Sequence, residues 1–354
     1  MRCWITPVAL AITAFLVAGC NTIGPHAIRG GRSAYNDAII STGNEQVLSL
    51  IVRHRYAENA QLLAVSSVTA NMRVSARVGS EIGLGPDSNF AGNLVPLSTS
   101  VLVEENPTIS YSPLDGERFI RELLSPLPLD LALLLIAADY EPIDIFAFLV
   151  DSVSTSKTAA IGEATGSDSI DVALFIGLLR ELELHGSVRW NLEPDRESTL
   201  VLRWSDEGEP AAKALTAALR MEHPSERILR IRVLDPNTRS TQGDLVVRTR
   251  SIGDLVRLAG AAMNVPHEHV ESGLARDIPI DPGVEGLITI RGSRTRPNKP
   301  YIAVQQHGQW YWIATTDLQT KRFFKLLTTL ISVRLSDSVR GDSPKPILTI
   351  PTAR

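Results

Sequence analysis

Ser154-Thr155-Ser156-Lys157 has the S-x-x-K spacing, in which a lysine amine can take the proton from a serine nucleophile. The companion S-D-N and K-T-G motifs are absent, no G-x-S-x-G occurs, and the match lies in a stretch of small residues that reads as a loop, so no catalytic residue is assigned. His267-Glu268-His269 places two imidazoles two residues apart, on one face if the segment is a strand. A catalytic zinc needs three protein ligands, and spacing offers no third; a solvated turn is expected, with no metal and no cofactor. Arg53-His54-Arg55 could grip anionic groups, although cations in the last turn of a helix also stabilise it through the dipole. Trp310-Tyr311-Trp312 offers flat amphipathic rings that could cover a sugar face or a lipid headgroup. On a strand, alternation sends Tyr311 to one side and both tryptophans to the other, and core packing for one side is the default.

The strongest pattern lies at the start. Residues 1–19 carry one cation, Arg2, then an uncharged and largely apolar run from Cys3 to Val17, then small residues: the layout of an export leader. About 15 residues of helix span roughly 22 Å, short of a roughly 30 Å hydrocarbon core, and Pro7 interrupts the run. Val17-Ala18-Gly19-Cys20 resembles the bacterial lipobox, which implies cleavage before Cys20 and acyl chains on its sulfur. By resemblance to enterobacterial sorting, Asn21 in place of Asp favours the outer membrane. Cleavage leaves 354 − 19 = 335 residues with Cys20 as the single cysteine, so no disulfide framework is expected and the fold must rest on its apolar core.

That core has ample material, with 44% hydrophobic and 21% charged residues. The net charge of −4 removes the bulk electrostatic case for nucleic acid as a partner.

Residues 20–32, punctuated by Gly and Pro, read as a tether, and 33–151 as an N-terminal α+β domain. Within it the spacing predicts a helix from Asn44 to Tyr56 with Val47, Leu48, Ile51 and Val52 as its stripe, one strand over Val68 to Val78, and a loop from Gly79 to Pro96. Strands at Val101 to Val103 and Thr108 to Tyr111, a helix opened at Pro113 to Glu117, and buried helices at Leu129 to Ala138 and Ile143 to Val150 follow. Residues 152–169 read as a linker, and 170–354 as a C-terminal α+β domain. Its elements are a helix over Ile170 to Leu184, a hairpin at Val188 to Leu192 and Leu200 to Trp204, and a helix from Pro210 to Met221. Strands at Ile228 to Leu234 and Leu245 to Arg248 and a helix over Ile252 to Met263 come next. Strands at Leu287 to Ile290, Tyr301 to Gln305 and Trp310 to Ala314 precede a last helix capped by Asp317. The arginines at 227, 230, 232, 239, 248, 250 and 257 are expected on outer faces. The order of elements predicts an α+β fold with a mixed or antiparallel sheet, packed helices and two sub-domains.

Ile51 to Tyr56 (IVRHRY), Tyr111 to Pro128 (YSPLDGERFIRELLSPLP) and Trp310 to Ser332 (WYWIATTDLQTKRFFKLLTTLIS), taken with the lipobox, resemble a group of uncharacterised bacterial outer-membrane lipoproteins. The resemblance implies an envelope lipoprotein and assigns no activity. The expected function is therefore a non-catalytic assembly or interaction component facing the periplasm, held in the membrane through Cys20 and docked on an envelope protein. Two alternatives remain: an envelope hydrolase acting on peptidoglycan or lipid, and a glycan or lipopolysaccharide binder using Arg53, Arg55, Trp310, Tyr311 and Trp312.

Overall fold

The computed structural model describes residues 33–69, 72–79, 98–105, 108–114, 116–155, 170–193, 199–233, 244–281, 284–339 and 348–351. The fold is α+β, with packed helices and both mixed and antiparallel sheets. Two compact units divide the chain: residues to Gln61 with Asp115–Ser338, and Leu62–Leu114 with Val339–Arg354.

The larger unit opens with helix α1 over residues 33–55, whose stripe Val47, Leu48, Ile51 and Val52 is buried as expected. The chain is already helical at Ser33, eleven residues before Asn44, which therefore lies inside the helix rather than capping it. A mid-helix glycine at Gly43 costs about 1 kcal/mol relative to alanine, and the preceding turns continue through it.

After helices α2 (Gly116–Leu124), α3 (Leu129–Ala137) and α4 (Pro142–Leu149), strand β5 (Val150–Thr155) enters a five-stranded sheet. The other members are β6 (Arg189–Leu192), β7 (Thr199–Arg203), β8 (Ile228–Val233) and β9 (Leu245–Thr249), in the order β5-β9-β8-β7-β6. Only the β8–β9 pair is parallel in this sheet. Helices α5 (Val172–His185) and α6 (Glu209–Ala218) pack on it, and one cluster joins Leu129, Phe146, Phe175, Leu179, Leu200 and Leu245.

This cluster corrects the expected domain boundary. Residues before and after 152–169 share a sheet and a core, because β5 pairs with β9. A register shift between Val150 and Ser152 turns both Val150 and Val153 inward, so the period of two is broken and the strand reads as a small-residue loop. Residues 156–169 lie outside the described residues.

Ser251 caps helix α7 (Ile252–Ala261) in a capping box: its hydroxyl accepts from Asp254 N–H at 3.1 Å and the Asp254 carboxylate accepts from Ser251 N–H at 3.0 Å. A short helix α8 (His267–Glu271) follows, then strands β10 (Arg291–Ser293), β11 (Ile302–Gln306) and β12 (Gln309–Ile313) in an antiparallel sheet ordered β10-β12-β11. The strand expected over Leu287 to Ile290 is thus displaced toward Arg291–Ser293. His307 and Gly308 both take positive φ, 49° and 73°, as a two-residue hairpin turn of the I′ kind requires. Helix α9 (Leu318–Val339) starts where Asp317 accepts from Thr320 N–H at 3.1 Å, and buries Phe323, Phe324, Leu326, Leu327 and Leu330. Phe323 meets Phe148 of α4 edge-on at 4.8 Å, which makes this helix central to its unit.

In the smaller unit, the single strand expected over Val68 to Val78 is two: β1 (Leu62–Thr69) and β2 (Met72–Gly79). With β3 (Ser98–Glu105), β4 (Thr108–Leu114) and β13 (Leu348–Pro351) they form the sheets β1-β4-β13 and β2-β3. The loop expected over 79–96 falls almost wholly outside the described residues.

Candidate functional site: the two faces of the β10-β12-β11 sheet

Strict alternation along β12 separates its aromatic side chains. Gln309, Tyr311 and Ile313 are buried, whereas Trp310 and Trp312 are half-buried on the opposite face. Sequence alternation predicted this division.

On the inner face Tyr311 is fully buried, and its hydroxyl meets that of Tyr56 at the end of α1. Tyr56 also reaches His269 Nδ1 on α8 at 2.7 Å, and its ring lies 4.6 Å from that of His307. A chain in which Tyr311 donates to Tyr56 and Tyr56 to His269 leaves each of these groups with a partner. Burial pushes both phenols up, Tyr311 the further, so both stay protonated near neutral pH and neither is poised as a base. Beside them Glu58 accepts from His307 Nε2 at 2.6 Å and from Gln306 Nε2 at 2.7 Å, which ties the exit of α1 to the β11–β12 turn. The inner face is a clamp between α1, α8 and the sheet.

On the outer face, Arg291 Cζ lies 5.3 Å from the Trp312 ring centre and Arg296 Cζ 5.4 Å from that of Trp310. Strand register sets Arg291 and Ala303 on either side of Trp312, and Ser293 and Gln305 on either side of Trp310. Flat rings carrying guanidinium groups can cover an apolar surface and pair with an oxyanion at once. Neither arginine was a sequence candidate, since both approach the tryptophans from the β10 strand and the loop after it. The basic run Arg291, Arg294, Arg296, Lys299 was the available signal.

The arginine triplet does not act as one group. Arg55 is buried, with Nη1 3.4 Å from the Ile278 carbonyl and Nε without a partner, so it packs rather than presents itself to a ligand. Arg53 turns to Ser49 and lies 3.7 Å from Glu58. His54 Nε2 is 3.3 Å from Arg276 Nη1, and its ring packs near Gly260 of α7.

Burial, then the charges of Arg276 and Arg257, hold the His54 imidazole below its ordinary value. The unfolded chain therefore binds this proton more readily, and stability falls as pH drops below about 6.5. His54→Gln is expected to flatten that decline; thermal midpoints between about pH 7.5 and 5 check it, and an unchanged slope would refute it.

The remaining candidates separate likewise. Ser154 lies on strand β5, not at the start of a helix, with its hydroxyl 3.3 Å from the Val246 carbonyl, and Ser156 and Lys157 are outside the described residues. His267 and His269 stand two residues apart on a helix rather than a turn, which sends them to opposite sides: His267 meets Glu271 at 3.2 Å and His269 meets Tyr56. Among the described residues no group of three or more His, Cys, Asp or Glu gathers as a metal site, and no helix is long and apolar enough to cross a membrane. Cys20 lies outside them. Comparison with known proteins gives no match to a family model, a curated protein or a solved structure.

Proposed function

We propose that the chain is a lipid-anchored cell-envelope protein whose α+β body faces the periplasm as a non-catalytic assembly or interaction component. The observation that carries this reading is Val17-Ala18-Gly19-Cys20, in register behind Arg2 and an apolar run. Two acyl chains, carried by one diacylglyceryl group on the Cys20 sulfur, hold a protein durably on a bilayer, whereas one chain binds only reversibly. The separate engagement of three potentially reactive groups supports a non-catalytic body: Ser154 on a backbone carbonyl, His269 on Tyr56, His307 on Glu58.

Full-length protein expressed in a bacterial host is expected to lose residues 1–19, to gain acyl mass and to enter the detergent phase on phase separation. Cys20→Ser is expected to carry no acyl mass. An intact leader on the wild-type chain, or identical maturation of the variant, would remove the anchor. In-cell crosslinking is expected to recover an envelope protein, and turnover of peptidoglycan or lipid by the purified chain would put a hydrolase in place of this reading.

A further inference from the structure

We propose that the outer face of the β10-β12-β11 sheet binds an anionic glycan, a pyranose chain bearing carboxylate or phosphate groups, through Trp310, Trp312, Arg291 and Arg296. This does not depend on the lipid anchor.

Electrostatics gives the first reason. From Arg291 to Tyr301 the chain carries Arg291, Arg294, Arg296 and Lys299 and no Asp or Glu, a local reversal in a protein of net charge −4. Glu268 engages Arg294 at 2.9 Å, while no carboxylate pairs with Arg291 or Arg296 among the described residues. Both guanidinium groups sit within cation–π range of an indole and are exposed, so their N–H edges remain available for a bidentate oxyanion.

Shape gives the second. Trp310 and Trp312 are two residues apart on one strand, so their Cα atoms lie about 7 Å apart and both side chains leave the same face of the sheet. Their cross-strand neighbours are Arg291, Ser293, Ala303 and Gln305, so small side chains flank each indole on one side, and both rings are part-exposed. A sugar ring is of this kind: an apolar C–H face to lie on indole, with polar edges beyond it.

The same features disfavour other occupants. A face built to enter a bilayer would add protruding aliphatic side chains, whereas the rings here are bordered by Ala303, Ser293, Gln305 and arginines. A nucleic acid strand needs a wider basic field than two free arginines in an acidic chain provide.

The test uses the full-length chain in detergent micelles, titrated with a galacturonate trisaccharide, its methyl ester, a phosphorylated glucosamine disaccharide and its unphosphorylated counterpart, with tryptophan emission and calorimetry as readouts. At least one acidic saccharide is expected to bind, and its neutral twin about tenfold or more weakly. Arg291→Ala with Arg296→Ala is expected to weaken the acidic form about tenfold with an unchanged thermal midpoint, and Arg291→Lys to restore only part of the loss. Trp310→Ala is expected to weaken it comparably, with Trp310→Phe as the milder variant should the alanine protein misfold. Absence of binding by both acidic saccharides at millimolar concentration, or equal binding of the neutral twins, overturns the proposal. So does binding of phosphatidylglycerol vesicles or single-stranded DNA, with the same dependence on Arg291 and Arg296, when neither saccharide binds.

Discussion

Gly292→Ala is expected to lower the unfolding free energy by about 3 kcal/mol or more, at or beyond the upper end for overpacking. A Cβ at this position would stand 2.2 Å from the carbonyl oxygen of Asn264, a distance that only movement of backbone can relieve. That backbone is pinned: Asn264 N–H donates to the Ile290 carbonyl at 2.8 Å, and Met263 and Ile290 form a parallel bridge just beside it. On the other side Tyr311 faces Gly292 across the ladder, its Cε1 only 3.5 Å from the added carbon. Either β10 separates from β12 or the turn after α7 is displaced. The first route also moves Arg291 off Trp312 and costs the outer face along with stability, whereas the second costs stability alone. Gly177→Ala is the control, because a Cβ there meets nothing within 4 Å and alanine favours a helix by about 1 kcal/mol. Urea unfolding of both variants measures the difference, and wild-type stability in the Gly292 variant would refute the close approach.

Arg250→Ala is expected to cost about 3–5 kcal/mol, the range for removing one partner of a buried ion pair. Sequence reading placed this arginine on an outer face, yet it is 1% exposed. Its Nη1 donates to the carbonyls of Ala147 and Phe148 at 3.1 Å each, and its Nη2 to Asp281 at 2.7 Å. Nε lies 3.6 Å from Asp151, beyond hydrogen-bonding reach. The two carbonyls belong to the last turn of α4, which has no further helical N–H to offer them. Truncation takes the guanidinium away from both carbonyls and from the Asp281 carboxylate in one step. Arg250→Met with Asp281→Leu removes the second charge too and is expected to recover part of the loss. Thermal unfolding of the single and double variants checks the coupling; if the single variant melts with the wild type, Arg250 does not hold α4 to the sheet.

Much of the larger unit was legible because its signals are local. The stripe of α1, the Asp317 cap of α9, Pro210 in the first turn of α6 and the Gly308 turn each act within a few residues. The alternation of Trp310, Tyr311 and Trp312 was readable for the same reason. Whatever depends on distant pairing was not. The bulge at Val150 hid a strand, and the Val68 to Val78 alternation ran through a boundary where partners change from β4 to β3. Arg291 meets Trp312 only because strands 21 residues apart lie side by side, and Tyr56 meets Tyr311 across 255 residues. The smaller unit is built from two segments with most of the chain between them, which composition cannot announce.

That discontinuity has a kinetic side. β13 joins β4 by pairing Pro351 with Thr108 and Leu348 with Tyr111. During synthesis, β1 and β4 emerge long before their third strand exists, and more than two hundred residues must follow first. Until then one border of β4 offers unmatched amide and carbonyl groups to any neighbouring chain. A nascent protein of this design must be shielded or remain unpaired at that border, and completion of the β4 ladder becomes a late event governed by a long-range closure rather than by local propensity.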